Sequence, residues 1–101
     1  MMYLSAVGMT FVLVSPAFAA NSASTYKAKC AMCHGADGKG KTPVGQSMGI
    51  KDFASSEIQA KSDAVLNVIV TNGFNAMPAF KSQLSKARIA ALVKYLRTFK
   101  K

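Results

Sequence analysis

Tryptophan is absent from this 101-residue chain, and cysteine, histidine and acidic residues are scarce: two Cys, one His and four Asp plus Glu. Each shortage excludes something. With one histidine, no paired carboxylates and no Ser/His/Asp set, nothing points to acid–base or nucleophilic catalysis. With only two cysteines, three residues apart, no second pair exists to staple a small fold. Four acids against thirteen Lys plus Arg leave a formal charge of +9. A basic surface suits nucleic acid, an anionic membrane or an acidic protein partner. The lysines are scattered and no recognition motif accompanies them, which argues against nucleic acid. No alternating strand pattern of useful length, internal repeat or low-complexity linker occurs. The expected class is all-α, with three principal helices and long loops, in a single domain.

Residues 1–20 carry no charge. An apolar centre at Val12-Leu13-Val14 is followed by Ser15-Pro16 and Ala17-Phe18-Ala19-Ala20. Proline before a small-x-small ending has the shape of a signal-peptidase site. The expectation is a signal peptide over 1–20, cleaved after Ala19 or Ala20, and a mature domain over 21–101. The n-region lacks its usual Lys or Arg, and a retained membrane anchor is the alternative. Without the leader about 81 residues remain, a size at which a protein-only core is marginal. A bound apolar group would supply missing bulk, so the chain is expected to be largely unfolded without it.

Cys30-Ala31-Met32-Cys33-His34 carries the chemistry. C-x-x-C-H is the attachment pattern of a c-type haem. Cysteines three apart share one face of a helical turn, so both sulfurs can form thioethers to one porphyrin. His34 can then bring an imidazole nitrogen to the iron. Three other readings stand beside this one. A dithiol redox pair would expect a βαβ setting. A zinc site would need help from a carboxylate such as Asp37. A disulfide across two residues would be a tight staple. Export fits haem attachment, which in bacteria takes place outside the cytoplasm on reduced thiols.

A first helix is expected over Ser22–Cys33, capped by Ser22 or Ser24. His34 to Pro43 reads as Gly-rich loop, and Val44 to Lys51 as irregular. Ser55 to Ala60 reads as a short helical turn. Ser62 should cap a helix over Asp63–Thr71, with Val65, Leu66, Ile69 and Val70 at helical spacing and Asn72-Gly73 as its stop. Phe74 to Lys81, containing Met77-Pro78, should be extended loop. Ser85 should cap a last helix over Lys86–Phe99, with Ile89, Leu92, Val93, Leu96 and Phe99 on its apolar face.

In that order these features resemble a small bacterial class I cytochrome c. The resemblance rests on C-A-M-C-H-G, the Gly-rich loop, a middle helix ending in T-N-G, then N-A-M-P-A-F and a final helix with A-L-V-K-Y-L-R. It implies one covalent haem c attached through Cys30 and Cys33, with its iron held by His34 and by the methionine of the M-P loop, Met77. Met1, Met2 and Met9 leave with the leader, Met32 faces the wrong side of its turn, and Met48 is read as packing. The resemblance further implies that the Pro43 carbonyl accepts a bond from His34 Nδ1. Phe53, Phe74 and Phe80, with Val65, Leu66 and Ile69, become pocket candidates. Tyr26 and Tyr95, beside Leu92, become an aromatic pair where the terminal helices cross.

The expected function is one-electron transfer between exported or membrane-bound redox partners, without catalysis, in the periplasm or otherwise outside the cytoplasm. The expected carrier is a monomer. Its partners would be redox proteins with acidic docking surfaces, not nucleic acid. Membrane contact would come only through them unless the leader is retained. A haem subunit serving one oxidoreductase, or a ligand-binding haem protein with an open sixth position, remains the alternative.

Overall fold

Four hydroxyl side chains set the starts of four helices. Thr42, Ser55, Ser62 and Ser85 each accept a hydrogen bond from the backbone N–H three residues on, at Gly45, Ile58, Val65 and Arg88. Each satisfies one of the donors that a first helical turn leaves without a partner. The computed structural model describes residues 16–100. Their order is α1 (Pro16–Lys29), α2 (Ala31–His34), α3 (Pro43–Met48), α4 (Ser56–Gln59), α5 (Asp63–Asn72) and α6 (Lys86–Leu96), which tightens into a 3₁₀ turn over Arg97–Phe99. The three longest are α1, α5 and α6. Among the described residues there is no strand; one isolated bridge joins Phe74 to Met77. No described helix is long and apolar enough to cross a membrane.

The core forms where α1 and α5 pack on α6. Ile89, Leu92, Val93 and Leu96 give α6 a buried stripe, as their spacing predicts. Tyr26 of α1 is buried among Phe53, Val70, Phe80, Leu84, Ile89, Leu92 and Leu96. Its ring lies 5.4 Å from that of Tyr95 and 5.2 Å from that of Phe99, so the expected aromatic pair is in place and has a third member. Arg97 fastens the end of the chain. Its guanidinium donates to the carbonyls of Gln59 and Lys61 and, through two nitrogens, to Asp63 Oδ1, while Lys94 takes Asp63 Oδ2. The last helix is thereby tied to the start of α5.

Several expectations need correction. With residues 16–20 present, Ser22 and Ser24 lie inside α1 and neither caps it. It ends at Lys29, and the haem motif forms its own turn, α2. Val44 to Met48 is helical where an irregular segment was expected. Thr42-Pro43 is an N-cap followed by proline at the first helical position, and that outweighs Gly45 inside the turn. Gly73 ends α5 with φ of 80° as expected, but its ψ of 170° is extended rather than left-handed helical. The leader residues 1–15, with Met1, Met2 and Met9, lie outside the described residues.

Candidate haem site

Cys30 continues α1 through its N–H to Tyr26 O (2.8 Å), and the chain then turns. The N–H of His34 closes that turn on Cys30 O at 2.9 Å. Both cysteines are free and partly buried, so the disulfide reading is not realised. No group of three or more His, Cys, Asp or Glu capable of holding a metal exists among the described residues, which removes the zinc reading. Burial pushes the Cys30 thiol up to about 11, against the opposing pull of Lys29. At neutral pH it is a thiol, not a thiolate.

The His34 ring lies on Phe53, centroids 4.6 Å apart and planes 24° from parallel. Burial pushes its pKa below the ordinary value, so the imidazole is neutral and able to offer a lone pair. Nδ1 is buried with no hydrogen-bond partner. The bond expected from Nδ1 to the Pro43 carbonyl is therefore not made; Pro43 instead opens α3.

The backbone around His34 is held from three directions. Thr42 Oγ1 donates to the Cys33 carbonyl at 2.6 Å. The Gly40 N–H donates to the His34 carbonyl at 2.7 Å. Tyr26 OH donates to the Gly35 carbonyl at 2.6 Å. Gly45 also crowds this turn: a Cβ there would stand 2.6 Å from Cys33 O, so no other residue fits. Sequence reading missed Thr42 and Gly45. Thr-Pro as a cap and first helical residue was the available signal.

Met77 is placed by a second built loop. Its N–H donates to Phe74 O (2.9 Å) and its carbonyl accepts from Phe74 N (3.1 Å). Asn75, at the tip, has φ of 52°, a conformation that asparagine tolerates better than most residues. Two further bonds, Phe80 N–H to Val70 O and Lys81 N–H to Thr71 O, fix the loop's return against α5. The Met77 side chain is partly buried against the core cluster. Met32 is 79% exposed, as its place between the cysteines predicts. Met48, read as packing, is instead 52% exposed at the end of α3.

Apolar surface is left open nearby in sequence. Ala64, Val65, Val68 and Ile69 line a trough on α5. Val65, Val68 and Phe74 are 46%, 57% and 63% exposed. Of the phenylalanine pocket candidates, Phe53 and Phe80 are buried in the core while Phe74 faces outward. Small proteins seldom leave such side chains in water without an occupant. Free thiols on one turn, a neutral imidazole beside them and uncovered apolar side chains together fit a porphyrin and its iron.

An all-α chain with this donor set is a covalent haem protein of the c type. The comparisons with known proteins agree. A family model described as cytochrome C oxidase, cbb3-type, subunit III, matches residues 17–96. Cytochrome c6 of Nostoc sp. is 37% identical over 90 residues, spanning 86% of this chain and 78% of its own length. Cytochrome c6 of Synechococcus sp. is 35% identical over 96 residues, spanning 92% and 83%. A solved structure, the KustC0563 c-type cytochrome, superposes with a TM-score of 0.74 at 35% identity, covering 79% of this chain and 98% of that one. The chain belongs to this family of small class I c-type cytochromes. It carries one covalent haem c and transfers electrons to and from redox proteins; it is not an enzyme.

Proposed function

We propose that Cys30 and Cys33 hold the haem through thioethers, that His34 and Met77 are the axial ligands, and that the chain is an exported carrier with a basic docking face. The observation that carries this reading is the neutral His34 imidazole set on one turn with two free, partly buried thiols. When bound, haem supplies a one-electron ferric/ferrous couple, and thioether sulfur on the iron favours the reduced form. The protein's residues do the rest. Phe53 backs the imidazole. The Phe74–Met77 bridge and Pro78 limit the freedom of the methionine loop, which helps to hold a weak iron–sulfur bond. Val65, Val68, Ile69 and Phe74 exclude water on one side, and Phe80 anchors the loop in the core. Pro43 contributes by starting α3. With His34 and Met77 both given to the iron, the protein would leave no open position there for a substrate.

The leader is read as cleaved after Ala19 or Ala20, which places the protein in the periplasm or another exported compartment. Such a cut shortens α1 but leaves Ser22 and Tyr26 in it. The mature protein acts as a monomer. Intact-mass measurement of the exported protein should give the leaderless chain plus one haem, and a Cys30→Ala, Cys33→Ala variant should lose the covalent adduct. The ferric holoprotein should show a near-infrared sulfur-to-iron band that Met77→Ala abolishes and Met48→Ala keeps. Covalent haem on the double cysteine variant would end the attachment reading; loss of the band in Met48→Ala would move the sixth ligand.

The family description, an oxidase subunit, favours a second reading in which the carrier serves one membrane oxidase. Stoichiometric co-purification with such a complex would support it. Recovery as a free protein from the exported soluble fraction would support the mobile carrier.

A further inference from the structure

Three consecutive carbonyls, those of Cys33, His34 and Gly35, bracket the proposed proximal ligand, and each has a donor from outside α2. Two of those donors are side-chain hydroxyls at 2.6 Å, from Thr42 and Tyr26. Carbonyls at the end of a helical turn lack intrahelical partners, so these bonds fill a real vacancy. They also come from different parts of the fold. Tyr26 sits in the middle of the α1/α6 contact and is only 2% exposed. Thr42 is the N-cap of α3, accepting from Gly45 N at 2.9 Å while it donates to Cys33. A displacement of either element is therefore transmitted to the residues on both sides of His34.

We infer that the Thr42 and Tyr26 hydroxyls are positioning groups that fix how the His34 imidazole is presented to the haem iron. The backbone on both sides of His34 is pinned, and Phe53 supplies a wall for the ring. Backbone anchors and wall together leave the ring plane little freedom. Removing one hydroxyl leaves a carbonyl without its donor, the turn relaxes, and the ring plane rotates. This inference rests on His34 being the proximal ligand.

His34 is the chain's only histidine, so a ¹⁵N-histidine label reports on this residue alone. The ferric holoprotein is compared as wild type, Thr42→Val, Thr42→Ser and Tyr26→Phe. Haem methyl shifts, which follow the axial imidazole plane, are read alongside the imidazole nitrogen shifts. Thr42→Val and Tyr26→Phe should each change the nitrogen shifts and the spread of the methyl shifts, and Thr42→Ser should restore the wild-type pattern. Ser62→Ala removes an equivalent cap from α5 and should lower stability without moving either signal. Wild-type patterns in both Thr42→Val and Tyr26→Phe would overturn the inference, whatever their melting temperatures. So would an equal change in Thr42→Ser, because that would assign the effect to the methyl group. If Thr42→Val yields no holoprotein, the Tyr26→Phe spectrum decides. Absence of a hyperfine-shifted imidazole in the wild type would overturn the ligand assignment itself, a failure distinct from that of the clamp.

Discussion

The imidazole of His34 and the ring of Phe53 stack at 4.6 Å, and Phe53 in turn meets Phe99 at 5.7 Å and Tyr26 edge-on at 6.2 Å. The proposed ligand is thus the outermost ring of an aromatic cluster that begins where α1 crosses α6. Packing at that crossing and the placing of the His34 ring are one mechanical unit.

Truncating Phe53 tests that unit. Phe53→Ala opens a cavity beneath His34 and should cost about 3–5 kcal/mol. Phe53→Leu keeps most of the apolar bulk but loses the aromatic faces, and should cost roughly 1–1.5 kcal/mol. Guanidinium unfolding of the holoprotein measures both. An alanine variant within about 1 kcal/mol of wild type would mean that Phe53 does not support the ligand.

Two glycines of positive φ separate backbone strain from contact. Gly49 has φ of 66° and open space where a Cβ would go, whereas at Gly73, with φ of 80°, a Cβ would stand 2.7 Å from the Met77 carbonyl. Gly49→Ala should cost about 1–2 kcal/mol from conformation alone and leave the ferric near-infrared band intact. Gly73→Ala should cost more and also weaken the band, because Met77 must move. Equal behaviour of the two variants in an absorbance-monitored melt would show that Gly73 is merely a helix stop.

What the sequence made legible was whatever obeys local rules. The caps at Ser62 and Ser85, the short turn after Ser55, the apolar stripe from Ile89 to Leu96 and the Tyr26–Tyr95 pair all appear as read, because period and capping are local properties. A cap at Ser22 or Ser24 belongs to a chain cut after Ala19 or Ala20; with the alanine run from Ala17 to Ala20 present, which is good helix, α1 extends upstream of both. α3 was missed because Gly45 looks like a breaker; its glycine is demanded by the Gly40 and Cys33 carbonyls, which no local pattern encodes. The C-x-x-C-H motif was legible because haem attachment imposes its spacing; the ligand roles proposed for His34 and Met77 rest on the family resemblance. The hydroxyls of Thr42 and Tyr26 were not, since each reaches its carbonyl across nine residues of loop and turn.

The Asp63 carboxylate accepts hydrogen bonds from Lys94 and Arg97, and these hold its pKa below the ordinary value. A carboxylate depressed in the folded state adds stability that is complete above its unfolded pKa of about 3.9. That stability is lost as pH falls through the lower folded value. Asp63→Asn should therefore destabilise by on the order of 1 kcal/mol at neutral pH, a figure kept small because the pair is half exposed. The difference from wild type should shrink below about pH 4 and narrow with added salt. Melting curves from pH 7 downward check this; a gap that widened in acid would contradict the pairing.

The last prediction concerns the charge excess. Lys27, Lys29, Lys39 and Lys41 flank the haem motif, Lys81 follows the Met77 loop, and all five are exposed. Only four acidic residues oppose thirteen basic ones, and one of the four, Asp63, is already paired with Lys94 and Arg97. Around the haem motif these lysines outnumber Asp37, and steering depends on the summed charge rather than on any single lysine. It speeds encounter more than it tightens the complex, which suits a carrier that must also leave. An acidic partner surface is the matching expectation. Bimolecular electron-transfer rates with the physiological partner should fall steeply as ionic strength rises and the screening length contracts from about 30 Å at 0.01 M to about 10 Å at 0.1 M. Charge reversal at Lys39 and Lys41 should flatten the slope while leaving the haem spectrum unchanged. A rate indifferent to salt, or rising with it, would remove electrostatic docking and leave electron transfer to rest on the haem site alone.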